Sequence, residues 1–212
     1  LLNIAERWGC GIAMSYGAVG IVPDSHPFML NGLGEGGNPL LPELFRESDV
    51  VLALETDWWP TDAVPRQARL IQWASRRELF GLSLPAEIGL IGDFNSFADR
   101  IIDGLKSHAA NPSWLERIGR CKRDWSIRNE QEGDHSQTPL PPSSIVRAIE
   151  RHVDEDAVIA MDEGDSTLWF LRNFRGKRQR VLLSERWRTM GFGLPAAMAA
   201  KLCEPDKQVV CL

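Results

Sequence analysis

Six short apolar runs, at residues 11–15, 50–54, 70–73, 157–161, 181–184 and 208–212, punctuate a chain whose intervening stretches carry helical periodicity. Runs this short, bounded by turn residues, match strands covered on both faces rather than buried helices. The clearest helical patterns cover 96–106, 112–128, 143–152, 166–174 and 190–202. Such alternation predicts parallel strands joined by right-handed crossovers, hence an α/β fold built from doubly wound parallel sheets. At 129–142, NEQEGDHSQTPLPP, periodicity vanishes and polar, Gly and Pro residues collect in the manner of a linker. Ser143 or Ser144 is placed to cap the helix that follows. The expected organisation is two domains, 1–128 and 143–212, joined by 129–142.

Both domains read as incomplete. Leu1, Leu2, Ile4, Ala5 and Trp8 already recur at helical spacing without a starting Met or a cap, and the apolar run at 208–212 has the character of an internal strand. Sheet edges left open this way are expected to expose apolar surface and to promote association. With 43% hydrophobic and 25% charged residues, the chain can bury one sizeable core or two small ones, which excludes disorder as its main state. A net charge of -5 and a pI near 5.4 argue against nucleic acid as partner. The basic run 172–180 reads as a solvated loop beside a helix. Cys10, Cys121, Cys203 and Cys211 form no CxxC pair and no Cys/His ligand spacing, so neither zinc nor a disulfide framework is expected. A reducing, cytoplasmic setting fits that usage, and no apolar stretch is long enough for a membrane span.

Several motifs invite chemical readings. GLGEGG, from Gly32 to Gly37, has the spacing G-x-G-x-x-G, with Asp57 at the distance of a ribose ligand. Pro39 and Pro42 crowd the turn where a dinucleotide-binding helix should open, so a glycine-rich turn is the favoured reading. Asp24, Ser25 and His26 are contiguous, but sequence neighbours rarely form a triad and no GxSxG elbow is present. The acidic set Asp154, Glu155, Asp156, Asp162, Glu163 and Asp165 lacks the alternating spacing of a calcium loop. More specific is the stretch from residue 157 onward. A strand, the turn DEGDS and a helix make an anion-binding corner, where free backbone N–H groups and a helix dipole point to one place. Some twenty residues later, RTMGFGLPAA opens a helix rich in small residues, with Gly191 and Gly193 permitting close backbone approach.

DAVIAMDEGDSTLWF, followed by VLLSERWRTMGFGLPAAMAAKLCEPDKQVVCL, resembles the first part of the diphosphate-binding domain of acetolactate-synthase-like, thiamine-diphosphate-dependent enzymes. SHPFMLNGLGEGG, SDVVLALETDWWP and LPAEIGLIGD are similar to the central domain that precedes it. The resemblance implies a cytoplasmic enzyme, a lyase or transferase, that makes or breaks C–C bonds adjacent to the carbonyl of a 2-oxo acid. It implies thiamine diphosphate and Mg2+ as cofactors and a homodimer or homotetramer as the full-length assembly. Gly164, Asp165 and Ser166 match the turn that approaches the diphosphate, and Met190 matches the apolar wedge between the cofactor's rings. Arg188, flanked by Thr189 before Met190 and Gly191, offers a backbone carbonyl where relatives usually carry Gly. The metal-binding GDG segment is expected after Leu212, and the activating glutamate in a further N-terminal domain. Catalysis by this polypeptide alone is therefore not expected, and no catalytic or metal-binding residue is assigned to it. FAD, held by some relatives near the loop matching Leu33 to Gly36, is disfavoured because Glu55, Thr56 and Asp57 stand where an Arg is common. The rival readings are a noncatalytic NAD- or FAD-binding module and a degenerate homologue with a scaffolding role.

Overall fold

The computed structural model describes residues 1–56, 63, 67–82, 84–133 and 138–212. In the N-terminal region α1 (Leu2–Trp8) leads to β1 (Ile12–Met14) and β2 (Met29–Gly32), which pair in parallel. Helix α2 (Leu41–Arg46) precedes a parallel three-stranded sheet of β3 (Val50–Leu54), β4 (Arg69–Ala74) and β5 (Ile88–Ile91), in that order. Asp93 caps α3 (Phe94–Gly104) by accepting the Ser96 N–H, which starts this helix ahead of residue 96. The long helix α4 (Pro112–Gly133) follows.

The C-terminal region alternates strictly: α5 (Pro142–His152), β6 (Val158–Ala160), α6 (Asp165–Asn173), β7 (Arg180–Leu182), α7 (Gly193–Cys203) and β8 (Val209–Cys211). Its sheet is parallel with order β7-β6-β8, so β6 is central and wholly buried. Ile159, Met161, Phe170, Phe174 and Val146 form its core, with the Phe170 and Phe174 rings stacked 4.4 Å apart. The expected α/β class with parallel strands is what the chain forms, in small sheets.

Several boundaries differ from the periodicity. Helix α5 starts after Pro141, with Pro142 in its first turn, and has no side-chain cap; Ser143 is buried inside the helix instead of capping it. Helix α7 begins at Gly193 rather than at Met190, because Gly191 adopts φ +83 and breaks the helical path. Strand β5 and helix α2 escape the periodicity: β5 is short and glycine-interrupted, and α2 is a six-residue helix with Pro42 in its first turn.

The largest correction concerns the stretch read as a linker. Helix α4 continues to Gly133, and Asn129 at its inner face is 2% exposed. Its Nδ2 donates to the Arg172 carbonyl at 2.7 Å, and its Oδ1 accepts from Arg175 Nε at 3.1 Å. Arg172 also pairs with Glu132 at 2.7 Å and lies over the Trp125 ring, while Arg175 pairs with Glu130 at 3.0 Å. The start of the basic run is thus no solvated loop; it fastens the C-terminal region to α4. Arginine suits the task because its planar fork meets carboxylate, carbonyl and ring together. Residues 134–137 of the same stretch lie outside the described residues.

Candidate functional site

After β6 the backbone emerges at Asp162 and turns through Gly164, whose φ of +142 an L side chain rarely adopts. Gly164 is the N-cap of α6, and no side chain caps that helix start. Its first N–H groups and the positive end of its dipole therefore face outward. The second corner follows β7. Arg188 takes φ +46, Gly191 takes +83, and α7 opens at Gly193, again without a side-chain cap.

Asp162 joins the two corners. Its Oδ1 accepts the N–H groups of Glu163 at 2.7 Å and Gly191 at 2.8 Å, and its Oδ2 accepts that of Gly193 at 3.1 Å. These amides, Glu163 first and Gly191 next, hold its carboxyl below the usual carboxylate range. The Asp162 carbonyl is anchored in turn by the buried Thr167 hydroxyl. Gly193 must be glycine for space, since a Cβ there would lie 2.8 Å from the Asp162 nitrogen. At Gly164 and Gly191 a Cβ would meet nothing within 4 Å, so both faces stay open to an approaching group.

Gly164, Asp165 and Ser166 sit at the first corner and Arg188, Thr189, Met190 and Gly191 at the second, all of them exposed. The Asp162 bonds bring the two sets side by side. Met190 is 80% exposed rather than tucked into the core. The Thr189 N–H donates to Ser184 Oγ at 3.1 Å, and Arg188 Nε donates to Glu163. Asp162 and Glu163 are the residues that motif spacing passes over. Their signal is position, a carboxylate directly after a buried strand, but its partners lie about thirty residues away.

The rival motifs have structural occupations. Gly32 ends β2, the chain turns back so that Gly37 packs on Gly32, and no helix opens at Gly37. Gly36, at φ +72, lies against Leu168 of α6, where a Cβ would sit 3.0 Å from its carbonyl oxygen. The loop packs against α6 and, with Tyr16, Asn31 and Phe170, lines a cavity, without the helix start at Gly37 that the fingerprint requires; Asp57, Trp58 and Trp59 lie outside the described residues. Asp24 and His26 turn to different partners: the Asp24 carboxylate accepts from Asn31 and the Gly176 N–H, while His26 Nε2 faces Glu6 at 3.4 Å. The four cysteines are free, and among the described residues no cluster of three or more His, Cys, Asp or Glu is placed to hold a metal ion.

Residues 1–101 match the central domain of thiamine pyrophosphate enzymes, and residues 162–212 match their C-terminal TPP-binding domain. The chain belongs to the thiamine pyrophosphate enzyme family. The second match starts at Asp162, the residue that ties the corners together. A thiamine pyrophosphate-containing protein of Bacillus subtilis, YdaP, is 29% identical over all of this chain and 37% of its own length. The acetolactate synthase large subunit of Parasynechococcus marenigrum is 24% identical, over 100% of this chain and 35% of its own. The sulfoacetaldehyde acetyltransferase of Castellaniella defragrans is 27% identical, over 98% and 40%. The chain thus spans little more than a third of the length of the family members it matches. Among the described residues, no helix is long and apolar enough to cross a membrane.

Proposed function

We propose that the two corners bind thiamine diphosphate within an enzyme that makes or breaks C–C bonds next to the carbonyl of a 2-oxo acid, as a synthase or decarboxylase. The arrangement fits the cofactor. An uncapped helix start beside an open Gly164 suits a diphosphate. Gly164, Asp165 and Ser166 would hold the diphosphate end. Arg188, through its carbonyl, with Thr189, Met190 and Gly191 would hold the ring end. Bound there, thiamine diphosphate supplies an electron sink for the carbon next to the carbonyl. The chain's part is orientation: Asp162 fixes the spacing of the corners, and the exposed Met190 side chain is available to shape the cofactor. Mg2+ would accompany the diphosphate, and we assign it no ligand in this chain. A cytoplasmic, homodimeric or homotetrameric enzyme remains our reading of the full-length protein.

The observation that carries this reading is the Asp162 carboxylate holding Gly191 and Gly193 against the DEGDS turn. Calorimetric titration of the 212-residue chain with thiamine diphosphate and Mg2+ tests it by binding rather than turnover. Saturable binding, clearly weakened in Asp162→Ala, is expected, since that variant loses the carboxylate that the Glu163, Gly191 and Gly193 amides share. Stabilisation by NADH or FAD, with none by thiamine diphosphate, would favour the nucleotide-module reading instead.

A further inference from the structure

Arg188 stands in the left-handed region at φ +46, where a residue with a Cβ needs outside support. Its side chain supplies that support from two directions. Nε donates to Glu163, whose side chain is 12% exposed, on the first corner. The guanidinium carbon lies 5.6 Å from the centre of the Tyr16 ring, in the N-terminal region, and Nη1 lies 3.9 Å from the Glu35 carboxylate. Tyr16 is fixed in turn, because its hydroxyl donates to the Glu35 carbonyl at 2.9 Å. The same turn has a second foothold: Glu185 accepts from Ser15 Oγ at 3.4 Å and fills the space beside Gly17. Residues 15–17 and the glycine loop of one region therefore grip the turn that carries the second corner of the other.

We propose that Arg188 is a positioning residue, a clasp that uses Tyr16 and Glu163 to hold residues 188–191 in the ligand-ready turn. The corner is then organised only while the N-terminal region is docked against it. Glycine at this position would reach the same backbone conformation unaided, and the turn would no longer depend on Tyr16. The role of the turn in cofactor binding rests on the function proposed above; the clasp itself does not.

Amide hydrogen exchange of the full chain, without cofactor, separates the two. The amides of Thr189 and Gly191, which donate to Ser184 and Asp162, are the reporters. Tyr16→Leu should speed their exchange several-fold with Arg188 present and leave it unchanged in an Arg188→Gly background. Tyr16→Phe, which keeps the ring, should stay close to the unaltered protein, and Glu163→Gln should fall between. Equal effects of Tyr16→Leu in both backgrounds, or none in either, overturn the clasp. If Tyr16→Leu fails to fold, Glu163→Gln in the two backgrounds decides the same question. A parallel titration should show thiamine diphosphate affinity falling several-fold in Tyr16→Leu. Absence of any cofactor binding in the unaltered chain would sink the proposed function while the exchange result still judges the clasp.

Discussion

At the scale of single residues, the site depends on one carboxylate serving backbone donors. Asp162 accepts three N–H groups, two of them from the second corner, so its ionised form is what keeps the corners together. Because its folded pKa is depressed, the stabilisation is present above the unfolded value of 3.8 and is lost as pH falls through the folded value. The Gly191 and Gly193 amide resonances should therefore titrate together with a midpoint below 3.8. A midpoint at or above that value would show that the amides do not hold the carboxylate. This residue was partly legible: it belongs to a recognisable DEGDS turn, but its bonds to residues 191 and 193 are set by how α7 returns to the sheet. Arg188 shows the converse. Its identity gave no hint that its side chain would reach Tyr16, more than 170 positions earlier in the chain.

At the scale of elements, α4 matters most. Its helical pattern was plain as far as residue 128, after which the polar residues of NEQEG mask the periodicity. The helix continues because those polar groups find partners in the C-terminal region. Glu130 and Glu132 meet Arg147, Arg172 and Arg175, and Asn129 satisfies the Arg172 carbonyl. A helix end that looks solvated by composition is thus a docking surface by contact. Asn129→Ala would leave that part-buried carbonyl without this donor and remove the acceptor of Arg175 Nε, at a cost of about 1–3 kcal/mol. Urea unfolding should show a lower midpoint with an unchanged slope, and a midpoint within error of the unaltered chain would refute the docking role. Strand β5, by contrast, was missed because its IGLI is only four residues long, largely exposed and interrupted by Gly89.

At the scale of the whole molecule, the two regions share polar fastenings that respond to pH. Asp24, on the loop between β1 and β2, accepts the Gly176 N–H from the C-terminal region. Burial is the chief reason its carboxyl is pushed up, to about 6; Gly176, Lys122 and Asn31 oppose the shift, and Glu150 adds to it. A folded value above the unfolded 3.8 means the folded chain binds this proton more tightly, so stability falls as pH rises from 3.8 through about 6. About two units correspond to roughly 3 kcal/mol. Asp24→Asn should flatten the dependence of Tm on pH across that window while adding a pH-independent cost from the altered pairing with Asn31. An unaltered slope would assign the pH dependence elsewhere.

What the sequence by itself determined was the class of fold, the places of most parallel strands, and the two glycine corners with their candidate residues. Each of these depends on patterns a few residues long: apolar runs, glycines and a familiar wording. The tertiary structure alone decided that Asp162 would bind the second corner, that the arginines at 172 and 175 would clasp α4, and that Tyr16 and Asp24 would reach across to the C-terminal region. Those contacts join groups tens to more than a hundred residues apart, and a side chain's polarity says that it needs a partner without saying which partner the fold will bring.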